Sequence, residues 1–246
     1  MTSVIRPLRG REYGLVVLAL VIAAGCIRLG FWQLHRLSER RAQNAIVASR
    51  LAEPAVGIDA IPRDSARQRD LHVHVHGLYD YAHEIVLTSR SRQGSPGVNI
   101  ITPIRVAGND TAVLINRGWI YAPDGVRADL SQWREGDSLD ATGYVVPFEG
   151  REGTSHSPSR ANAYRWLDTA LARQAFPYPV RPYFVILPKD ANTAGGILPR
   201  IPPPELDEGP HLSYAIQWFA FATIALGGIF FFVRRSGEAS DVLPLL

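Results

Sequence analysis

Cysteine and lysine are almost absent from this sequence of 246 residues. The single cysteine, Cys26, excludes an internal disulfide framework and any Cys-x-x-Cys metal or redox site. The only lysine is Lys189, and the arginines that supply the remaining positive charge are scattered along the chain. Because no basic stripe with interleaved aromatic residues is present, the sequence does not predict nucleic acid binding.

Catalytic and metal-binding signatures are missing as well. The sequence has no Gly-x-Ser-x-Gly, no His-Glu-x-x-His and no glycine-rich phosphate loop. Scattered carboxylates such as Asp80, Glu84 and Asp137 are expected to be solvated. We therefore expect a protein that has no catalytic residues and is not an enzyme.

Two long apolar runs are the strongest signal that the sequence does contain. Residues 13–34 and 214–233 each reach the length of about 20 residues that a helix needs to cross a bilayer core about 30 Å thick. The second run carries no charge, and the one charge in the first, Arg28, lies towards its end, where a long side chain reaches the membrane surface. Aromatic residues flank the runs as they flank transmembrane helices: Tyr13, Phe31, Trp32, Tyr214 and Trp218.

The charges around the second run predict the orientation of the chain. Acidic residues precede the run and Arg234 and Arg235 follow it at once, so the positive-inside rule places the C-terminus in the cytoplasm. With two spans, residues 1–12 and 234–246 are expected in the cytoplasm and residues 35–213 outside it. Three arginines after the first run depart from the rule: Arg36, Arg40 and Arg41.

A second interpretation of the N-terminus remains open. Residues 23–26 read Ala-Ala-Gly-Cys after a basic region and an apolar core, which is the pattern of a lipoprotein signal that ends at Cys26. The apolar region is long for such a signal, and this length favours a permanent first span.

Between the spans the sequence predicts a mostly antiparallel β domain, so that the whole chain is an α+β membrane protein with a transmembrane helix at each end. Residues 35–50 are expected to continue the first helix as a charged, amphipathic extension, and residues 54–69 to form a loop. An internal helix is expected only at residues 168–176, with Asp168 as its N-cap. Runs rich in Val, Ile and Tyr predict strands at 71–77, 85–88, 98–106, 111–120, 139–146 and 183–187.

The first predicted strand carries histidine at three alternate positions, His72, His74 and His76. Alternate residues of a strand share one face, so two of these imidazoles would be able to bind one metal ion. The residues between them are apolar and would form the buried face of the strand. Because a half-buried strand exposes polar residues on its other face, we favour an exposed strand face over a metal site.

The start of the second span contains a candidate ligand for a cofactor. One helical face there combines histidine, aromatic and small residues: His211, Tyr214, Ala215, Trp218 and Ala222. The histidine would be able to ligate the iron of a flat macrocycle that lies against this face, with the alanines leaving room for the ring. A histidine that contacts lipid headgroups at the membrane surface is the alternative.

Several of these stretches together resemble the surfeit-locus protein one family. The sequence LGFWQLHRLSERR resembles the Gly-x-Trp-Gln-Leu-x-Arg signature of that family, and VHVHGLYD, VLINRGWIYAPDG and HLSYAIQWFAFA resemble later blocks in the same order. The residues that match are Trp32, Gln33, Leu34, Arg36, Gly77, Tyr79, Asp80, Asn116, Arg117, Gly118, Trp119, His211, Tyr214, Gln217 and Trp218. The three strand histidines do not belong to the family pattern.

The resemblance implies a bacterial membrane protein that assists the assembly of cytochrome c oxidase in the respiratory chain. It implies that the central domain lies outside the cell membrane and that the protein helps to mature the haem-bearing catalytic subunit of an aa3-type oxidase. Haem a is the implied cofactor, bound transiently through His211, with Tyr214 and Trp218 beside it. The implied partners are oxidase subunits, above all the haem-bearing one, together with haem a synthase and the lipid bilayer.

Two other functions stay open at this point. The chain would also suit a scaffold or accessory subunit of the oxidase that binds no haem, or an extracytoplasmic metal-binding protein that uses the histidine strand. Arg117 and Trp119 are open between a partner contact and a structural role, and we favour the structural role. In that role the arginine would bond loop carbonyls and the tryptophan would close the core.

Overall fold

The computed structural model of the protein describes residues 10–149, 155–156, 161–189 and 198–238. These residues belong to two compact units. The helical unit is formed by Met1–Ile46 with Leu206–Leu246, and the β unit by Val47–Glu205.

Two helices confirm the predicted apolar spans. Helix α1 runs over Gly10–Ala52, so the charged extension does continue the first span without a break, and helix α4 runs over His211–Glu238. Only 17% of the most apolar window of α1 and 6% of that of α4 is buried, whereas the core helix of a soluble protein would be mostly buried. Apolar surface of this extent requires a lipid environment, and the chain is a membrane protein with two spans.

The β unit contains short helices and strands in the following order: β1 Val56–Gly57, α2 Ser65–Gln68, β2 His72–Tyr79, β3 Ile85–Arg92, β4 Ser95–Arg105, β5 Ala112–Tyr121, β6 Ser138–Pro147, β7 Ala163–Tyr164, α3 Thr169–Ala175 and β8 Val180–Ile186. Single turns of 3₁₀ helix lie at Ile58–Ala60, Tyr81–His83 and Ser131–Trp133.

Five of the strands close into a barrel-like ring. The order in the sheet is β1-β2-β6-β8-β5-β4-β3-β7, and β2 pairs in addition with β4 through Leu78 opposite Arg105 and Tyr79 opposite Ile104. This pairing joins β2, β6, β8, β5 and β4 into the ring, while β3 and β7 extend beyond β4. Strand pairs are antiparallel except β1–β2, β3–β7 and β5–β8, so the sheet is mostly antiparallel, which confirms the prediction from the sequence.

An apolar cluster holds the five strands of the ring together. Val73 and Val75, which alternate with the histidines of β2, are fully buried. A fully buried valine stabilises the folded state by about 1.5–3 kcal/mol relative to an exposed one. The cluster consists of Ile58, Val73, Val75, Ile104, Val113, Ile115, Leu139, Ala141, Val145, Tyr183, Val185 and Leu187.

The predicted strands and the internal helix are all present. The largest difference is at β3, which continues to Arg92 instead of ending at residue 88. Helix α3 begins after Asp168, whose carboxylate accepts a hydrogen bond of 2.8 Å from the backbone N–H of Leu171, as expected of an N-cap.

The loop predicted over residues 54–69 was wrong in part. This stretch contains β1 and α2, and Asp64 caps α2 by accepting a hydrogen bond from the backbone N–H of Ala66. Two residues of strand and four of helix are too short to produce a hydrophobic period, so the sequence pattern does not reveal them. The same holds for the two-residue strand β7.

Candidate functional site

Helices α1 and α4 lie against each other along a face of small residues. On α1 the buried positions recur every three or four residues: Ala23, Cys26, Gly30, Gln33 and Leu37. A Cβ at Gly30 would come within 2.6 Å of the Phe219 ring of α4, so only glycine allows the two helices this approach. Small residues of this kind let transmembrane helices pack closely.

His211 opens α4 and is positioned by a residue of α1. The imidazole Nδ1 lies 2.8 Å from Oε1 of Gln33, whose side chain is buried. An amide oxygen only accepts hydrogen bonds, so Nδ1 donates this bond, and in the neutral imidazole Nε2 then presents its lone pair. Within the described part of the chain Nε2 meets no hydrogen-bond partner. Metal-binding histidines are held in this way, with one ring nitrogen fixed by a neighbour and the other left for the metal.

The predicted site residues on α4 differ in how deeply they are buried. Tyr214 is 45% exposed and Trp218 is half-buried, one and two turns from His211. Ala215 and Ala222 are only 1% and 3% exposed. Since they share a face with Phe219, which contacts Gly30, they face α1. The expectation that these alanines leave room for a ring was wrong: their small size serves the packing of the helices.

A polar pocket of about 190 Å³ adjoins His211 where both helices leave their apolar segments. Its walls come from four residues of α1, from Gly209 before α4 and from the first residue of α4: Arg36, Glu39, Arg40, Gln43, Gly209 and His211. Arg36 donates to Glu39 at 2.6 Å, and Nε of Arg40 donates to the carbonyl of Asp207 at 3.2 Å.

Arg41, one of the three arginines that depart from the positive-inside rule, has its charge neutralised by an acidic residue. Its guanidinium donates two hydrogen bonds of 2.8 Å to the two carboxylate oxygens of Glu208. These bonds from Arg41 lower the pKa of the Glu208 carboxyl. Glu208, which precedes the second span, therefore neutralises one of the three arginines that follow the first, and the sequence did not reveal this pair because 167 positions separate its members.

Arg117 forms the centre of a buried ionic network in the β unit. The side chain is completely buried; its Nη2 donates to Glu84 at 2.6 Å and its Nε to the Thr102 hydroxyl at 2.8 Å. Nη1 donates to the carbonyl of Trp133 at 2.5 Å and approaches Glu135 at 3.4 Å. The predicted structural role is borne out by this geometry, because a residue without solvent exposure has no surface to offer a partner.

A second arginine completes the network. Arg200 donates to the two carboxylate oxygens of Glu135 at 2.8 and 3.0 Å, and to the backbone carbonyl of Arg117 at 2.5 Å. Two guanidinium groups thus meet two carboxylates, Glu84 and Glu135, and the buried charges balance. The expectation that Glu84 is solvated was wrong, because its carboxylate is the partner of Arg117.

Gly118 follows Arg117 on β5 and has a backbone conformation that other residues do not adopt readily. Its φ is +153°, and a Cβ there would lie 2.4 Å from the carbonyl oxygen of Pro199. This close approach brings the segment of Arg200 against β5 and therefore supports the ionic network.

Asp80 also has a structural role that explains its place in a matched block. Burial alone would raise its pKa, but hydrogen bonds from the Tyr178 hydroxyl at 2.6 Å and from His83 at 2.8 Å outweigh burial and lower the pKa. The carboxylate therefore stays ionised at neutral pH and ties β2 to the segment that precedes β8.

Trp119 is less buried than its place in an apolar run suggested. Its ring is half-buried over Gly97 of the neighbouring strand, where an added Cβ would come within 2.4 Å of it, and its Nε1 donates to the carbonyl of Arg90 at 3.2 Å. Of these two residues of β5, Arg117 is fully buried and Trp119 remains half-buried.

Trp119→Ala should lower the free energy of unfolding by about 2–3 kcal/mol, below the 3–5 kcal/mol expected for a fully buried ring. Denaturant titration of the full-length protein in detergent measures this loss. Tyr121→Ala is the matched control: that ring is 60% exposed on the same strand, and its loss should cost less than about 0.5 kcal/mol. Unchanged stability of Trp119→Ala would contradict the structural role.

The histidine strand has the exposed face that the sequence predicted. Along β2 the residues at His74 and His76 are exposed, and His72 is half-buried. His74 lies 2.6 Å from Asp140 on the adjacent strand and His76 lies 3.7 Å from it. Among the described residues no group of three metal-ligating side chains is close enough to hold an ion.

Replacing His72, His74 and His76 together with threonine should change the free energy of unfolding by less than about 1 kcal/mol, because exposed ion pairs contribute little and threonine suits a strand. Denaturation and elemental analysis of the purified protein test this expectation. Zinc or copper at one ion per wild-type chain, lost in the triple variant, would establish a metal site instead.

Known proteins resemble this chain over most of its length, including the residues described above. The sequence profile of the SURF1 family matches residues 20–223. A SURF1-like protein of Rickettsia felis is 28% identical over 217 residues, which cover 85% of this chain and 92% of that protein. SURF1-like proteins of Monosiga brevicollis and Drosophila melanogaster are 26% identical over 251 residues and 25% identical over 224 residues. They cover 94% and 82% of this chain, and 92% and 72% of their own lengths.

Proposed function

Because this chain belongs to the SURF1 family, a family of cytochrome oxidase assembly factors, we propose that it holds haem a for the catalytic subunit of an aa3-type cytochrome c oxidase. The observation that carries the proposal is the hydrogen bond between His211 and Gln33. It fixes the imidazole in the tautomer in which Nε2 is able to bind iron, at the point where α4 begins.

The neighbouring residues suit the rest of a haem. Tyr214 and Trp218 offer aromatic surface one and two turns along α4, and the polar pocket lies beside His211. Haem a is lipophilic, so a site where the spans begin would let its tail stay in the bilayer. When bound, haem a supplies the redox-active iron that the oxidase requires. This chain contributes only the ligand, its orientation and the surrounding surface, and acts as an assembly factor and not as an enzyme.

The proposed partners are the haem-bearing subunit of the oxidase, which would take the haem, and haem a synthase, which would provide it. Deleting the gene in an organism that makes an aa3-type oxidase tests this role. The membranes should lose most of the a-type haem absorbance and the oxidase activity, and the wild-type gene on a plasmid should restore both. Membranes of the deletion strain with a full amount of active oxidase would refute an assembly role.

We place the protein in the bacterial cell membrane, with residues 35–213 outside and both termini in the cytoplasm. Alkaline phosphatase, which is active only outside the cytoplasm, should be active when fused after Gly108, a residue of the exposed turn between β4 and β5. Fused after Leu246, it should be inactive, while green fluorescent protein at the same position should fluoresce. The opposite pattern of activities would reverse the orientation.

A further inference from the structure

Three arginines on the outer side of the first span oppose the positive-inside rule, and two of them line the pocket beside His211. Arg41 is compensated by Glu208, but Arg36 and Arg40 face a pocket whose only carboxylate is that of Glu39. The ionisable side chains of the wall, apart from the imidazole, therefore leave one positive charge in excess.

The two guanidinium groups retain hydrogen-bond donors. An arginine has five N–H donors, and Arg40 engages a protein acceptor only through Nε, with the carbonyl of Asp207 at 3.2 Å. Arg36 engages Glu39 through Nη1 alone at 2.6 Å. Within the described residues these are the only acceptors that either group meets, so both have N–H groups to offer to an anion. Arginine binds carboxylates through two parallel hydrogen bonds, which makes the pair suited to such a ligand.

We propose that this pocket binds the carboxylate side groups of the haem whose iron His211 ligates, with Arg36 and Arg40 as the donors. The inference rests on the proposed function and adds the polar half of the site to it. A haem is an amphiphile with two carboxylate groups on one edge of an apolar ring. The residues around His211 likewise comprise a charged group and an apolar group. Arg36 and Arg40 belong to the charged part of α1, whereas Tyr214 and Trp218 belong to the apolar segment of α4.

Comparing haemin with its dimethyl ester isolates the carboxylate interaction. Both are iron protoporphyrins, but only haemin carries the negative charges. The full-length protein in a neutral detergent is titrated with each compound, and binding is followed by visible absorbance. Arg40→Met and Arg36→Met should each weaken haemin binding by roughly 10- to 100-fold, the range for lost hydrogen bonds to a charged group. Binding of the ester should change less than about two-fold, because the ester lacks the charge that the arginines would bind.

Arg41→Met provides the matched control. It removes the same charge one residue further along α1, but the Arg41 side chain does not line the pocket and is engaged by Glu208. This variant should bind haemin as the wild type does. At saturation the spectrum of Arg36→Met and Arg40→Met should be that of the wild type, because the axial ligand is unchanged, and their circular dichroism should confirm an intact fold.

Several outcomes would overturn the inference. Haemin affinity that is unchanged in both variants, or that falls equally for haemin and its ester, would show that the arginines do not bind the carboxylates. Retention of phosphatidylglycerol by the wild type and its loss from the variants, with haemin affinity unchanged, would assign the pocket to lipid headgroups. A wild type that binds neither haemin nor the ester would refute the proposed haem site itself, and the inference with it.

Discussion

Arg117→Leu should lower the free energy of unfolding of the protein by about 3–5 kcal/mol, the cost of removing one partner from a buried ion pair. Among the described residues, the substitution leaves Glu84 with the Thr102 hydroxyl as its side-chain partner and leaves Arg200 to compensate Glu135. A buried carboxylate without its cation is costly because the protein interior solvates charge poorly. Denaturant titration of the full-length protein in detergent measures the loss, and low expression in cells should accompany it.

A surface ion pair of the same unit serves as the control. Arg69 and Glu149 lie 3.0 Å apart with both side chains about half exposed, so Arg69→Leu should cost less than about 1 kcal/mol. Arg117→Lys keeps the charge but loses the forked geometry that reaches Glu84 and Thr102 together. Its loss in free energy of unfolding should therefore lie between those of Arg69→Leu and Arg117→Leu. Equal stability of Arg117→Leu and the wild type would show that the buried network contributes nothing to the fold.

His211→Ala should abolish haem binding while the protein accumulates normally. The substitution removes the nitrogen ligand, and alanine is the better helix former at the start of α4. The cost to stability should be limited to roughly 1 kcal/mol, because Gln33 loses one hydrogen-bond partner. The purified variant should contain no haem, and cells that carry it should have reduced oxidase activity. A full complement of haem in His211→Ala would show that another residue ligates the iron.

His35 provides a matched control, because it is a second histidine beside the membrane. It follows the first span directly, is 70% exposed and lies 3.3 Å from Glu39, so His35→Ala should retain the haem. Gln33→Leu keeps His211 but removes the acceptor that fixes its tautomer, and should weaken haem binding by roughly 10- to 100-fold. If Gln33 only packs between the helices, haem affinity should be unchanged in Gln33→Leu. Haem affinity therefore distinguishes this packing role from a role in orienting His211.

The local architecture of the protein is predictable from its sequence because the relevant signals are local. Twenty apolar residues determine a span, alternation of Val and Ile with polar residues determines a strand, and Asp168 identifies the start of α3. The closure of the ring is different. It depends on two residue pairs between β2 and β4, Leu78 with Arg105 and Tyr79 with Ile104, and no local pattern encodes such a pairing.

The sites are less predictable for the same reason. The sequence identified His211 and Arg117 as residues of interest, but their partners come from distant segments. Gln33 precedes His211 by 178 positions, and Glu135 and Arg200 reach Arg117 from two separate loops. Arginine and glutamate are normally surface residues, so their residue type predicts that Arg117 and Glu84 are exposed, whereas both are buried. The available signal was the matched blocks, which already contained Gln33, Arg36 and Arg117 without stating what they contact.

The visible spectrum of the wild-type protein, purified in detergent from cells that make haem a, tests the central claim most directly. The proposed function predicts an a-type haem at up to one per chain, confirmed by extraction of the haem and absent when the protein is purified from cells that lack haem a synthase. Wild-type protein that supports oxidase assembly but contains no haem from producing cells would contradict the claim, and a scaffold that binds no haem would then be the function of this chain.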